Sequence, residues 1–185
     1  MLHIAIISGS IRTGRKSHRV AKYFNNYITQ NNLATSEILD LKEFNFPIME
    51  ERLINLTNPS VNVKLFSEKI TKADAVILVS PEYNSGYPAA VKNAIDVLVK
   101  EWFHKPIGII GVSSGNFGGI NAIDQLQTIL MKIKASPIST LFPVPNVQDA
   151  FDEEGNAINK EATDKRAASF LKELLWVAEA FNKMK

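Results

Sequence analysis

The chain has 185 residues, 45% of them hydrophobic and 22% charged, which suits one globular domain with a buried core and excludes a disordered or fibrous chain. Cysteine is absent, so a disulfide framework, thiolate metal sites and a cysteine nucleophile are excluded, and a reducing compartment is a natural setting. The net charge is only +2, yet residues 1–36 hold Arg12, Arg15, Lys16, Arg19 and Lys22 and no acidic residue; this local excess points to an anionic ligand near the N-terminus, not to a broad nucleic-acid surface.

The apolar start from Leu2 to Ile7 has no basic region before it and runs into Ser8-Gly9-Ser10, unlike a targeting segment. No stretch approaches the roughly 18 uninterrupted apolar residues of a membrane span. The expectation is a cytoplasmic protein with no membrane and no nucleic-acid partner. In chain order, His3 to Ile7 is a continuous β-branched run, the pattern of a strand buried on both faces. Ser17 is a predicted N-cap for a helix whose apolar face is Val20, Ala21, Phe24, Tyr27 and Ile28. A weaker strand follows at Thr35 to Leu41. Phe44 to Asn62 is the longest irregular piece, read as a surface excursion or partner contact. Asn58-Pro59 puts proline at a first helical turn, leading to Val63, Phe66 and Ile70.

Ala75 to Val79 is the next strand, and Tyr87-Pro88 opens a helix carrying Ala90, Val91, Ala94, Ile95 and Leu98. Pro106 to Val112 repeats the buried-strand pattern, and Ile120, Ile123, Leu126, Leu130 and Ile133 make another helical face. Ile138 to Val144 is a second weak strand, and Phe170, Leu171, Leu174, Leu175, Ala178 and Phe181 mark the last helix. Five strands alternating with five helices predict an α/β three-layer sandwich, since parallel neighbours need crossovers that put helices on both faces. The expected architecture is a single flavodoxin-like domain, residues 1–185, with a five-stranded parallel sheet in order 2-1-3-4-5. That order brings the loops after the first, third and fourth strands to one rim at the carboxyl edge, where open α/β sheets bind ligands.

The first of these loops, Ser8-Gly9-Ser10-Ile11-Arg12-Thr13-Gly14-Arg15-Lys16-Ser17, joins a strand to a helix start. Glycines, hydroxyls, an arginine and a helix N-terminus suit a phosphate; the alternative is an ordinary turn with solvated basic residues. Gly9 and Gly14 share the Walker A glycine spacing, but Arg15 stands where that motif requires lysine, and no G-x-G-x-x-G is present. The second loop, Ser80 to Pro88, is bounded by prolines and carries Tyr83 and Tyr87. Its exposed peptides could face a flat heteroaromatic ring, while either tyrosine could equally be core or interface packing. The third, Ser113 to Gly119, offers backbone donors without bulk. None of the loops holds a Ser-His-Asp set, paired carboxylates or a metal cluster, and His3, His18 and His104 are scattered, with His3 read as structural.

Gly9-Ser10-Ile11-Arg12, Pro81-Glu82-Tyr83-Asn84, Tyr87-Pro88 and Lys92-Asn93-Ala94-Ile95-Asp96 together resemble the flavodoxin-like NAD(P)H-dependent FMN reductases, which include quinone, azo-dye and chromate reductases. The resemblance covers nearly the whole chain. It implies an oxidoreductase with FMN as cofactor and NADPH or NADH as hydride donor, working by a ping-pong cycle in which the flavin itself carries the hydride and no catalytic side chain is required. By the same resemblance Ser10, Arg12, Ser17 and His18 hold the FMN phosphate. Pro81, Glu82, Tyr83, Asn84 and Gly86 line the isoalloxazine, and Ser113, Ser114, Gly115 and Gly118 cover its other edge. Arg15-Lys16 departs from many members, which have a single small or polar residue there. The implied partners are a small-molecule electron acceptor and further copies of the chain, as a homodimer or homotetramer. The helix from Pro88 to Val99 with Trp102-Phe103 is the candidate interface, or else intramolecular core. An electron carrier of the flavodoxin type and a non-catalytic FMN-binding redox sensor are the alternatives. A sequence pI near 8.7 disfavours the carrier, since such proteins are strongly acidic.

Overall fold

The structure is a computed structural model and describes residues 1–184. The sheet has the order β2-β1-β3-β4-β5, all pairings parallel, with β1 His3–Ser8, β2 Thr35–Asp40, β3 Ala75–Pro81, β4 Pro106–Val112 and β5 Ser136–Pro137. β6, Phe142–Val144, also pairs with β4. Of the strand expected over Ile138 to Val144 only Phe142–Val144 forms, and the other short piece, Ser136–Pro137, lies just before the expected start. Ile107 faces Pro137 while Ile110 faces Phe142, so the outer strand is longer than its partner over that stretch and the residues between leave the ladder. Pro137 and Pro143 also lack the N–H that a ladder uses.

The five expected helices are α1 Ser17–Gln30, α3 Val61–Lys72, α4 Ala89–Asp96, α5 Ile120–Lys132 and α7 Lys160–Asn182; the four-residue turns α2 Leu41–Phe44 and α6 Val147–Ala150 are additional. The sheet divides the core in two. Ile4 and Ile6 of β1 point to α1 and α7, where Phe24, Phe142, Phe170 and Leu174 are buried; Ala5 and Ile7 point the other way, to Phe66, Ile70, Ile95, Trp102 and Leu126. Alternate residues of one strand thus enter opposite cores, which is why the run is apolar throughout. A Cβ on Gly108 would come within 2.4 Å of the Phe170 ring, so α7 lies directly on β4.

Some predicted boundaries move. Lys16, not Ser17, occupies the N-cap of α1, and no side chain caps that helix. Pro59 and Pro88 precede the first turns they were expected to start: Ser60 caps α3 through Val63 N, and Pro88 is itself the N-cap of α4. The Phe44 to Asn62 segment is tied back to α4, with Asn93 donating to Pro47 O at 2.8 Å and accepting from Met49 N at 2.7 Å, while Ile48 stays 88% exposed. The helix from Pro88 stops at Asp96, and Trp102 is buried with its indole N–H donating to Ile95 O at 3.0 Å, so Trp102 belongs to the intramolecular core; Phe103 is exposed under the Lys134 ammonium. His3 is structural, its ring lying between Thr35 and Glu37.

Candidate cofactor site

At the carboxyl edge of β1, β3 and β4 the three loops enclose a cavity of about 280 Å³. Of the residues singled out from sequence, Ser10, Arg12, Ser17, Pro81, Glu82, Tyr83, Ser113 and Ser114 line it together, joined by Thr13, Gly14, Arg15, Lys16, Val112 and Val147. Asn84, Gly86, Gly115, Gly118 and His18 do not line it. Thr13, Val112 and Val147 were missed; Val112 ends β4, and Val147 enters from α6, a turn that no periodicity marks.

The first loop leaves β1 with Gly9 N donating to Val79 O at 2.9 Å. It then turns over the start of α1, whose uncapped first turn presents amide hydrogens and a positive dipole end to the cavity. Ser17 Oγ is buried there without a hydrogen-bond partner among the described residues. A buried, unpaired hydroxyl is costly unless something else satisfies it. Arg12 and Lys16 are exposed at the rim, and Arg12 lies 5.3 Å from the centroid of the Tyr83 ring. Ser10, which is buried, joins the first and second loops through a 2.7 Å hydrogen bond with the Tyr83 hydroxyl. These donors fit a phosphomonoester, so the cavity suits the phosphate end of FMN.

Three of the five N-terminal basic residues work differently from a solvated or phosphate-facing set. Arg15 pairs with Asp40 through both carboxylate oxygens and donates to Ser10 O at 2.7 Å. Arg19 donates to Phe151 O and pairs with Glu153, while Lys22 donates to Glu153 O, so both hold the segment before α7 to α1 instead of facing solvent. His18 points beneath the loop, with Nδ1 3.0 Å from Ser8 Oγ and 3.7 Å from Asp40. Burial, and then the nearby Arg15 charge, lower its pKa against the opposing pull of Asp40. Burial pushes Asp40 the other way, but the Arg15 hydrogen bonds and the Lys42 amide outweigh it and hold the carboxyl below its usual range.

The second loop continues the sheet, with Glu82 N donating to Val112 O at 2.9 Å. Tyr83 and Gly86 then exchange backbone hydrogen bonds across Asn84 and Ser85, which have φ of 51° and 61°. Positive φ at both central residues is the geometry of a type I′ turn, which asparagine tolerates. The Glu82 carboxylate turns away to cap α5, accepting from Asn121 N at 3.0 Å and Ala122 N at 3.4 Å. Its side chain therefore serves the third loop's helix and supplies the cap that Gly119 cannot. In the third loop Ser113 Oγ donates to Gly115 O and accepts from Gly118 N, so that hydroxyl closes its own turn. A Cβ on Gly111 would meet Gly119 O at 2.6 Å and Gly118 O at 2.8 Å, which shows how closely this loop folds back over β4.

An open parallel sheet with a phosphate-ready cavity at its switch point defines a flavodoxin-like nucleotide-binding protein. The profile of the family described as NADPH-dependent FMN reductase matches residues 2–149. An NAD(P)H-dependent FMN reductase of Saccharomyces cerevisiae is 33% identical over 150 residues, which cover 74% of this chain and 78% of the relative. A quinone reductase of Pseudomonas putida is 34% identical over 135 residues, 69% of each chain. Among solved structures, the flavoenzyme NAD(P)H:(acceptor) oxidoreductase FerB of Paracoccus denitrificans superposes with a TM-score of 0.78 over 97% of this chain and 98% of that one, at 23% identity. The chain belongs to the NADPH-dependent FMN reductase family. Its activity class is that of an FMN-dependent NAD(P)H oxidoreductase.

Proposed function

We propose that this protein oxidises NAD(P)H and reduces a small quinone, azo or related acceptor in alternating half-reactions, using FMN held in the sheet-edge cavity. When bound, FMN supplies the acceptance of hydride and the return of two electrons, chemistry no side chain here offers. The buried Ser17 hydroxyl, without a partner among the described residues and at the uncapped start of α1, carries this reading. Ser10, Ser17 and the first-turn amides donate to the phosphate, with Arg12 and Lys16 adding positive charge. Pro81, Glu82 and Tyr83 form the wall on the ring side, and Ser113 and Ser114 close the opposite wall. Asn84, Gly86, Gly115 and Gly118 contribute by shaping the loops, and His18 acts from beneath the phosphate loop.

The acceptor class rests on relatives named for it, a quinone reductase of Pseudomonas putida and an NADPH azoreductase of a Bacillus species. Use of NAD(P)H goes with a cytoplasmic setting, and among the described residues no helix is long and apolar enough to cross a membrane. The reading includes a single domain and assembly with further copies of the chain, the latter resting on family resemblance and on the exposed Ile48 beside α4. Steady-state oxidation of NADPH and NADH by FMN-loaded protein with a quinone tests it. Turnover that requires FMN and acceptor together is expected; protein that fails to bind FMN, or that binds it without turnover, overturns it.

A further inference from the structure

Arg12, Arg15 and Lys16 lie within five residues of one another in the first loop, yet they are not equivalent. Arg12 and Lys16 are exposed, whereas the Arg15 side chain is 14% and the Asp40 side chain 5% exposed. The Arg15 fork grips both carboxylate oxygens of Asp40 and also the carbonyl of Ser10. Asp40 is itself immobilised three ways. It ends β2 opposite Ser8 in the ladder, it caps α2 by accepting from Lys42 N at 3.0 Å, and His18 packs beside it while reaching Ser8 Oγ. Arg15 therefore ties a carbonyl in the turn of the loop to a fixed point at the end of the neighbouring strand.

Resting on the reading of this cavity as a flavin phosphate site, we propose that the Arg15–Asp40 pair is a buried positioning clamp. It holds the Ser10 peptide, and with it the Ser10 hydroxyl and the Arg12 amide, in the arrangement that recognises a phosphorylated flavin over an unphosphorylated one. Ser10 Oγ accepts from Arg12 N at 3.4 Å and meets the Tyr83 hydroxyl at 2.7 Å, so fixing the Ser10 carbonyl, whose peptide also carries the Ile11 N–H, orders the hydroxyl and the amide beside it. Because Asp40 neutralises Arg15, the phosphate is offered Arg12, Lys16 and the start of α1, and Arg15 acts through the loop. Buried ion pairs contribute little net stability but can select one conformation over others, and losing one partner strands a charge. Asp40 does not line the cavity, so its contacts reach the phosphate site only through Arg15 or His18, while loss of its negative charge by itself would strengthen phosphate binding.

The test is a flavin-fluorescence titration with FMN and, separately, riboflavin, on the wild-type protein, Asp40→Asn and Arg15→Lys, with thermal unfolding of each. The clamp predicts that Asp40→Asn raises the Kd for FMN about tenfold while riboflavin changes by less than about twofold. Arg15→Lys keeps the charge but loses the planar two-point fork, so it is expected to behave like Asp40→Asn, and it stands in if that variant does not fold. Unchanged FMN affinity in Asp40→Asn overturns the clamp, and tighter binding overturns it in favour of a freed Arg15 as a direct phosphate ligand. Equal weakening of both flavins overturns it in favour of a purely structural pair, as does wild-type FMN affinity in Arg15→Lys. If the wild-type protein binds neither flavin, the site reading falls and the clamp with it; if it binds FMN and the variants do not lose selectivity, only the clamp falls.

Discussion

The two halves of the cavity are held in different ways. The first loop is fixed by side chains: a buried ion pair, the Ser10–Tyr83 hydrogen bond, and a histidine beneath. The second and third loops are held without buried charge pairs between them, mostly by main chain in the Tyr83–Gly86 turn and by glycines packed against carbonyl oxygens, with the Ser113 hydroxyl and the Glu82 cap as the side-chain ties. One half should therefore respond to changes of charge and the other to changes of volume.

The largest effect is expected at Gly111. Adding a methyl group there drives it into the Gly118 and Gly119 carbonyls, which cannot rotate away as a side chain could. Gly111→Ala should lower stability by about 3 kcal/mol, read from urea unfolding without added flavin. Gly115→Ala, where a Cβ meets nothing within 4 Å, is the matched control and should leave stability unchanged. Wild-type stability in Gly111→Ala would remove the contrast between the two halves.

On the charged side, Arg12→Ala should weaken FMN binding by about 1.5 kcal/mol, the lower end of a charge-assisted hydrogen bond because Arg12 is exposed. An isothermal titration that finds no change would take Arg12 out of the phosphate site. Smaller again is Glu82→Ala, which removes the external cap of α5 and should cost about 1 kcal/mol in stability while leaving the Tyr83–Gly86 turn in place. Hydrogen exchange would localise that loss to the first turn of α5; protection lost throughout the second loop instead would make Glu82 a loop residue.

The smallest effect is on pH dependence. The pKa of His18 is lower in the folded protein than when free, so its contribution is present above the ordinary imidazole value of about 6.5 and is lost as pH falls through the folded value. Stability measured by denaturant titration should decline gently as pH drops from about 6.5 towards the folded value and level off below it, and His18→Gln should flatten the decline. Asp40 has the same sign at lower pH, because its carboxyl is also held below its usual range. A profile that rises on acidification across the histidine range would contradict the environment assigned to His18.

Much of the fold could be read from residue order. Unbroken runs such as Ala75 to Val79 have no polar face, so they demand cover on both sides, and the structure provides it with two separate cores. The split of the last strand was not legible, because its cause is a difference in length against β4 that no local pattern carries. The motif residues Pro81 to Tyr83 came through resemblance and do line the cavity, but the task of the Glu82 side chain depends on Asn121, far along the chain. Arg12 and Arg15 look alike in sequence, and only the folding of Asp40 beside the loop separates an exposed cation from a neutralised one. Arg19 and Lys22 were likewise claimed by a loop at residues 151–153 that composition does not announce.

Anaerobic addition of NADPH to the purified protein carrying FMN, followed by a quinone, tests the central claim most directly through the visible flavin absorbance. Bleaching on NADPH and full recovery on quinone are predicted. Absorbance that NADPH leaves unchanged, in protein shown to hold FMN, would contradict the assignment of the cavity to hydride transfer.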